Sequence, residues 1–529
     1  MKQYNDIEIS IINEKRNFLL SLRKKKLNKN LFEKRSNYVN KNNENQNLNF
    51  VEEEKHNTFI NNIKFKFNEL LLEINKDETN YINILNDIIK FLQSSFNDIE
   101  LNKIEKPLIE TKVIAKIYND LTIKKYIKNY EILNLLLIIF SCIIFLYNYC
   151  QNSDILKNNF ISGNKYILLY LSLLDIENDE VIYNLYKFIG LLSHNSVEIK
   201  KILFNAKFLE KIINNNLYDN EKDIIEVKIW CISQFDMNNI YNENIDLCLK
   251  LQDFYILVFN NYLLKNIHNN EFLVNYLKII TNLSFCMNED YIKNLLNSKI
   301  IDFFLDSNIN KQLSKKNLLL IIGNMNYISE PKSICQLYIL TIQYLINIIL
   351  DKKNGEDIIG LSLWCINNYT IYKELCLDIY FKKNLLTINK NYIIKNQKIS
   401  GNIFYEICLG YANLIRCIND DKKYILIKEY NIMSLIIEGF KKVEIFQNIK
   451  IGASVIEIIF ALLTFDNEEL VNYNRYIFES EGGNEHIFGK INNILLQQNN
   501  IYNEEKNDAI EYNILEFIKY IKIKLLDYD

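Results

Sequence analysis

The segment Leu363-Trp364-Cys365-Ile366-Asn367-Asn368 is the stretch from which the rest of the sequence can be organised. Similar segments recur along the chain, and their last residues lie 44, 48, 42, 44 and 45 residues apart. A near-constant interval of this length indicates an internal repeat, and the apolar residues of each segment follow helical spacing. The other segments are Leu-Tyr-Lys-Phe-Ile-Gly at 185–190, Ile-Trp-Cys-Ile-Ser-Gln at 229–234, Leu-Lys-Ile-Ile-Thr-Asn at 277–282, Leu-Leu-Ile-Ile-Gly-Asn at 319–324 and Gly-Tyr-Ala-Asn at 410–413.

The length of the repeat predicts its architecture. Units of about 40 to 47 residues are typical of armadillo and HEAT repeats, in which two or three helices stack on their neighbours into one core with a superhelical groove. Only two prolines occur among the 529 residues, and a proline inside a helix costs about 3 kcal/mol. We therefore predict an all-α superhelical solenoid of armadillo or HEAT repeats over residues 58–529. Ordinary helical packing with coincidental spacing is the alternative.

An almost wholly apolar segment at 132–147 tests that prediction. It is shorter than the roughly 20 residues that span a bilayer. We predict a buried helix of the stack, with a membrane anchor as the alternative.

The ten cysteines are scattered and form no Cys-x-x-Cys pair. This pattern is typical of small buried apolar side chains in a reducing compartment. It predicts a protein of the cytoplasm and nucleus.

The segment 15–35 is opposite in charge to the rest of the chain. It has nine basic side chains and one acidic side chain, whereas the whole chain has a net charge of -3. Its leucines recur at helical spacing, but a helix this basic loses too much hydration in a core. We predict a solvated arm at 1–36 on a flexible tether at 37–57. A plain solvated tail, a nucleic-acid contact and a membrane-surface helix are the interpretations open to it.

The arm contains Leu22-Arg23-Lys24-Lys25-Lys26 and, after a polar spacer, Leu31-Phe32-Glu33-Lys34-Arg35. With these motifs and its repeats, the chain resembles the importin-α family of nuclear import adaptors, which implies a right-handed superhelical armadillo-repeat solenoid. The arm is similar to the family's importin-β-binding domain, and the segment at 363–368 is similar to its Trp-x-x-x-Asn helix. The run Glu-Ser-Glu-Gly-Gly at 479–483 resembles the start of the family's last repeat, which implies a capping repeat at 479–529. The resemblance implies that the arm binds importin-β through Leu22, Arg23, Lys24, Lys25, Lys26, Leu31, Lys34 and Arg35.

The groove of this family binds basic nuclear localisation signals of cargo proteins. Trp and Asn four residues apart project from one face of a helix. A carboxamide can bond both the N–H and the C=O of an extended peptide, and an indole attracts a Lys or Arg cation by about 0.5 to 2 kcal/mol. The predicted cargo-peptide-binding residues are Trp364, Asn368, Asn324, Asn413, Trp230, Gln234, Asn282 and Tyr186.

Other functions have weaker support in the sequence. Only four histidines occur, without metal-ligand spacing, and no phosphate loop or nucleophile motif is visible, so we predict no catalysis, cofactor, metal or small-molecule substrate. The main alternative is an armadillo scaffold for another protein, with the arm as a localisation or nucleic-acid-contact segment. We predict a nuclear import adaptor whose partners are importin-β, basic cargo and a recycling exportin, without nucleic-acid or membrane partners.

Overall fold

The computed structural model describes Phe65 and residues 78–94, 129–148, 164–194, 196–215, 221–235, 244–264, 270–284, 289–306, 312–328, 330–443 and 449–491. These residues are mostly helical, which confirms the all-α prediction. The one pairing recorded outside helices within them is a parallel bridge between Ile399 and Val443. The predicted arm, the tether and the end of the capping repeat lie outside the described residues.

The described helices, in chain order, are α1 Glu78–Ser94, α2 Tyr130–Asn148, α3 Asn164–Leu173, α4 Asp179–Ser193, α5 Val197–Asn205, α6 Phe208–Asn214, α7 Lys222–Ser233, α8 Ile245–Val258, α9 Asn270–Leu283, α10 Glu289–Asn297, α11 Ile300–Asp306, α12 Gln312–Ile328, α13 Pro331–Leu350, α14 Glu356–Tyr369, α15 Lys373–Leu377, α16 Leu385–Lys395, α17 Gly401–Cys417, α18 Asp420–Tyr424, α19 Ile432–Lys442, α20 Ile449–Leu463 and α21 Glu468–Ser480. Turns of π-helix occupy Phe259–Leu263, Asp378–Lys382, Ile425–Glu429 and Asn484–Gly489.

Nine of these helices form a continuous row. In the order α1, α2, α4, α7, α9, α12, α14, α17 and α20, each helix packs against the next. Other helices flank the row: α13 packs on α14, α15 on α17 and α19 on α20. The helix α16 packs in turn on α19. All six repeat segments lie in the row, one at each row helix from α4 to α17, and Gln234 directly follows α7. The interval in the sequence therefore corresponds to one step along the row.

Short polar side chains start several helices. Asn178 accepts a hydrogen bond from the Val181 N–H at 3.0 Å, and Asn467 does the same for Leu470 at 3.2 Å. These bonds satisfy N–H groups that have no partner within the first turn. An asparagine-rich chain can thus begin many helices without proline or glycine.

Lysines from later in the chain satisfy the carbonyl groups at some helix ends. Lys211 Nζ donates to Leu171 O, near the end of α3, at 2.6 Å. Lys442 Nζ donates to Ile393 O, near the end of α16, at 2.8 Å. A cation at a helix C-terminus also interacts favourably with the helix dipole. Each bond ties a helix to the following part of the stack.

The apolar segment at 132–147 lies within α2, which packs between α1 and α4. Ile132, Leu133 and Phe140 have no exposed surface. Within the described residues, α13 is the helix long and apolar enough to cross a membrane by length and composition, and 56% of that window is buried in the fold. Both helices therefore contribute side chains to the common core.

Candidate peptide-binding face

The two tryptophans occupy equivalent places on α7 and α14. Each indole lies over a glycine of the preceding row helix. A Cβ atom on Gly190 would stand 2.2 Å from Trp230 Cζ3, and one on Gly323 would stand 1.8 Å from Trp364 Cζ3. Only glycine permits this approach. Both indoles remain partly exposed, so a ligand can reach part of each ring.

Three predicted amides lie in the C-terminal half of the row, α12, α14 and α17, where they fasten successive helices together. Asn368 Nδ2 donates to Gly323 O at 3.1 Å. Asn324 Nδ2 donates to Ser284 Oγ at 2.6 Å, and Asn413 Nδ2 donates to Thr370 Oγ1 at 2.8 Å. The three asparagines are only 4 to 8% exposed. One N–H of each amide therefore donates to the neighbouring row helix or to the residue at its end.

The hydroxyl groups fix the orientation of two of these amides. Ser284 Oγ donates its single hydrogen to Thr281 O at 2.6 Å, and Thr370 Oγ1 donates to Asn367 O at 2.7 Å. Each hydroxyl can then only accept from the asparagine. One N–H of each amide is thus used within the protein. The second N–H and the carboxamide oxygen are the groups left to bond a peptide C=O and N–H.

The N-terminal half of the row, α4, α7 and α9, is fastened differently. Gln234 Oε1 lies 2.9 Å from His194 Nδ1, and the Gln234 Nε2 group donates to Trp230 O at 3.2 Å. Asn282 is 2% exposed, and its side-chain oxygen has no hydrogen-bond partner. Gln234 therefore joins the end of α7 to the end of α4. The Asn282 oxygen makes no hydrogen bond to a neighbouring helix.

Tyr186 does not line the exposed face. It is 1% exposed and lies in the core. Aligning the buried pair at 181–182 of α4 with the pair at 224–225 of α7 places Lys187, not Tyr186, at the position of Trp230. Lys187 is exposed. The sequence comparison was wrong by one residue here because it aligned the segments by their last residues.

The position that holds an indole on α7 and α14 holds other kinds of side chain on the remaining row helices. Lys278 on α9 and Leu409 on α17 are partly exposed, and Leu320 on α12 is buried. With Lys187 on α4, two of the six positions are cationic, two are aromatic and two are aliphatic. The face is therefore not a uniform ladder of indoles.

Carboxylates accompany both indoles. Glu226 lies one helical turn before Trp230 and accepts a hydrogen bond from Tyr262 Oη at 2.6 Å. Burial, followed by this bond, raises the pKa of Tyr262, which keeps the phenol protonated as the donor. Asp357 is exposed two turns before Trp364. Helical spacing places these carboxylates on the side of the helix that holds the indole.

Sequence reasoning missed Asn367 and Glu406. Asn367 Nδ2 donates to Glu406 O at 2.7 Å and to Glu406 Oε2 at 2.9 Å. This pair joins α14 to α17 beside the Trp364 position. The adjacent asparagines of the quoted segment thus have different roles, one toward α12 and one toward α17.

The described residues contain no group of three or more His, Cys, Asp or Glu side chains that could hold a metal ion. The importin-β-binding residues predicted on the arm lie outside the described residues.

The fold has a counterpart among solved structures. No family model matches this chain, and no curated protein matches it. The crystal structure of an engineered protein from the Northeast Structural Genomics Consortium is similar with a TM-score of 0.56. The match covers 79% of this chain and 98% of that chain, at 10% sequence identity. At this identity the likeness shows a shared fold and nothing about function.

Proposed function

We propose that this chain is an armadillo-type solenoid that acts as a divergent importin-α-like nuclear import adaptor. Its row face binds basic localisation peptides, and its N-terminal arm binds importin-β. The observation that carries the proposal is the pair of partly exposed indoles at equivalent places on α7 and α14, each accompanied by a carboxylate. This combination favours an extended ligand that carries lysine or arginine.

The two indoles define two separate subsites. Each ring would flank the aliphatic stem of a basic side chain and attract its charge by about 0.5 to 2 kcal/mol. Three steps separate α7 from α14 along the row. At about 10 Å between packed helices and about 3.3 Å per extended residue, the two basic clusters would lie about nine residues apart. The proposal therefore favours two-cluster signals.

The buried amides restrict recognition of the peptide backbone. One N–H each of Asn324, Asn368 and Asn413 already donates to the protein. The second N–H and the carboxamide oxygen would bond a peptide C=O and N–H. Because these asparagines are only 4 to 8% exposed, the side-chain subsites would provide most of the specificity.

A binding assay with the full chain tests this proposal. Fluorescent peptides with one basic cluster, or with two clusters about nine residues apart, would be compared with a neutral scrambled peptide. Loss of an indole contact worth about 0.5 to 2 kcal/mol predicts that Trp364→Ala weakens binding about 2- to 30-fold. Equal affinity for basic and neutral peptides would overturn the proposal.

Two further variants separate binding from folding. Trp364 also packs in the row, so Asp357→Lys reverses an exposed charge on the same helix and leaves the indole in place. It should weaken binding of the basic peptide. It should lower the free energy of unfolding by only about 0.3 to 1 kcal/mol, because a cation in the first turn of α14 opposes the helix dipole. Ile339→Ala, at a residue 75% exposed on the flanking helix α13, is the matched control and should change neither.

The second candidate is an armadillo scaffold that binds another protein, one without the basic clusters of a localisation signal. Lys187 and Lys278 favour it, because a cation at the indole position repels a basic peptide. Immobilised peptide 1–36 distinguishes the two: retention of importin-β supports the adaptor, and failure to retain it while the full chain still captures another protein supports the scaffold.

A further inference from the structure

Two lysines lie on either side of the Trp230 indole along the row. Lys187 on α4, Trp230 on α7 and Lys278 on α9 hold the same position on three consecutive row helices, and α7 packs against both of the others. Lys187 is exposed, and Trp230 and Lys278 are partly exposed. A ligand that crosses α7 at the indole therefore meets one cation on the preceding helix and another on the following helix.

Hydrogen-bonding groups bring these three positions close together. Gln234 Oε1, directly after α7, lies 2.9 Å from Nδ1 of His194, directly after α4. Ser233 Oγ, at the end of α7, lies 3.4 Å from Asn275 Oδ1 on α9. Both contacts lie within two helical turns of the positions that hold the indole and the two lysines. The three positions are therefore neighbours along the row.

The indole of Trp364 has different neighbours. The equivalent positions on the adjoining row helices hold Leu320, which is buried, and Leu409, which is partly exposed. One turn before them lie the partly exposed side chains of Lys316 on α12 and Glu406 on α17. A run of basic residues across α14 thus meets one cation and one carboxylate. A similar run across α7 meets a cation at the indole position on both sides.

The carboxylates of α4, α7 and α9 lie nearer to the starts of these helices. Glu180 on α4 accepts a hydrogen bond from Asn134 Nδ2 at 2.9 Å. Glu226 on α7 accepts one from a tyrosine hydroxyl, one turn before the indole. Asp223 on α7 and Glu271 on α9 are exposed, two turns before the indole position. At the indole position itself, the charged side chains of these three helices are the two lysines.

The spacing of the row predicts the ligand that suits this arrangement. At about 10 Å between packed helices and about 3.3 Å per extended residue, one step of the row corresponds to about three residues. Resting on the proposed peptide-binding function, we propose that the Trp230 subsite binds a Lys or Arg residue with acidic residues about three positions before and after it. The acidic side chains pair with Lys187 and Lys278, and the basic side chain contacts the indole and Glu226.

This ligand differs from an uninterrupted run of basic residues. Each partly exposed pair of opposite charges improves the affinity about 1.4- to 5-fold, and a like charge in the same place lowers it. The Trp364 subsite would take the run of basic residues, whereas the Trp230 subsite would take a single basic residue between two acidic residues. One of these acidic residues would lie between the two basic parts of the ligand.

Matched peptides test the proposal on the full-length protein. Three fluorescent peptides share a run of basic residues about nine positions from a single lysine, and the positions about three before and three after that lysine hold two Glu, two Gln or two Lys. Each peptide is made with the run at either end, which covers both chain directions. In anisotropy titrations, the Glu peptide should bind about 2- to 30-fold more tightly than the Gln peptide, and the Lys peptide should bind most weakly. Added salt should reduce the difference.

Charge reversal provides the matched variants. In Lys187→Glu/Lys278→Glu the order of the three affinities should be inverted, so that the Lys peptide binds most tightly. An unfolded variant would lose all three peptides and could not invert their order. Lys201→Glu/Lys332→Glu, at exposed lysines on the flanking helices α5 and α13, changes the net charge equally and should keep the order of the unmodified chain.

The outcomes separate this inference from the function on which it rests. Equal affinity for the Glu and Gln peptides, with both bound more tightly than a neutral scrambled peptide, would overturn the charge pattern and leave the proposed function standing. Equal affinity for basic and neutral peptides would overturn both.

Discussion

The two halves of the row hold equivalent indoles but fasten their helices by different means. In the C-terminal half, asparagine nitrogens donate to a hydroxyl or a carbonyl of the preceding helix. In the N-terminal half, a glutamine meets a histidine, and the Asn282 oxygen has no partner. The comparison teaches that the two residues of the Trp-x-x-x-Asn pattern pack one row helix on the preceding one. Trp364 lies over Gly323, and Asn368 donates to its carbonyl group. The proposed peptide binding would depend on the side-chain atoms that these hydrogen bonds leave exposed.

The largest expected effect is at the glycines under the indoles. Gly323→Ala places a Cβ atom where Trp364 lies, so the ring must move, and overpacking of this kind costs about 1 to 3 kcal/mol. Gly190→Ala should cost less, because its Cβ would be farther from Trp230. In both variants the higher helix propensity of alanine, about 1 kcal/mol, offsets part of the loss. Thermal unfolding of the two variants measures the difference.

The double variant Gly323→Ala/Trp364→Leu provides the control. A smaller side chain leaves room for the new methyl group, so the double variant should be more stable than the sum of the single effects predicts. Strict additivity would contradict the packing of this ring on this glycine.

The next effect separates the tied asparagine from the untied one. Asn324→Leu removes the donor to Ser284 and should lower the free energy of unfolding by about 1 to 2 kcal/mol. Asn282→Leu removes a buried oxygen that has no partner, so it should be neutral or stabilising. Denaturant unfolding of both variants tests the comparison, and a larger loss at Asn282 would reverse our assignment of which amide fastens the row.

A pH-dependent effect belongs to the C-terminal half. The hydrogen bond from Tyr338, assisted by Lys382, lowers the pKa of Asp378 against the opposing effect of burial. Because the folded pKa is depressed, the stabilisation is fully present above the unfolded value of about 3.9 and is lost as pH falls through the folded pKa. Tyr338→Phe should cost about 1 kcal/mol at pH 7, and the loss should shrink as pH falls through the folded pKa of Asp378.

Tyr262→Phe is the N-terminal counterpart of that variant. Tyr262 donates to Glu226 at 2.6 Å, so the loss at pH 7 should be of the same size as for Tyr338→Phe. Unfolding curves recorded between pH 2 and pH 7 provide both measurements. A pH-independent loss for Tyr338→Phe would show that Asp378 is not the acceptor that matters.

The smallest effect concerns surface cations. Lys428 lies 3.5 Å from Glu469 and 4.0 Å from the ring centroid of Tyr473, whereas Lys250 in the N-terminal half lies 3.9 Å from Glu210. We expect Lys428→Met to cost about 0.5 kcal/mol and Lys250→Met less. Added salt should reduce both losses, and equal losses would remove this difference between the halves.

The repeat interval was enough to predict which helices lie side by side. Segments about 44 residues apart do form successive members of one row, because each helix needs its neighbour to bury its apolar face. The error at Tyr186 arose because the interval between segments varies along the chain. The alignment of α4 with α7 is fixed instead by their buried pairs at 181–182 and 224–225. Core pairs predict register better than segment ends.

The orientation of the amides could not be predicted from spacing, because it depends on a hydroxyl one repeat earlier. A local pattern was nevertheless present. Asn282-Leu283-Ser284 and Asn368-Tyr369-Thr370 each place a hydroxyl two residues after an amide position. Each hydroxyl lies at the end of its helix and receives the next asparagine. The importin-β-binding prediction for the arm concerns residues outside those that the structure describes.

The lysine bond from Lys211 to the end of α3 spans 40 residues of sequence. A ribosome that adds about 5 to 20 residues per second would need about 2 to 8 seconds to deliver that lysine after the carbonyl group has been made. During that interval the nascent helix end has only water to satisfy it. The end of α3 therefore receives its last hydrogen bond only when Lys211 has been made. A chain interrupted between the two would unwind first at the end of this helix.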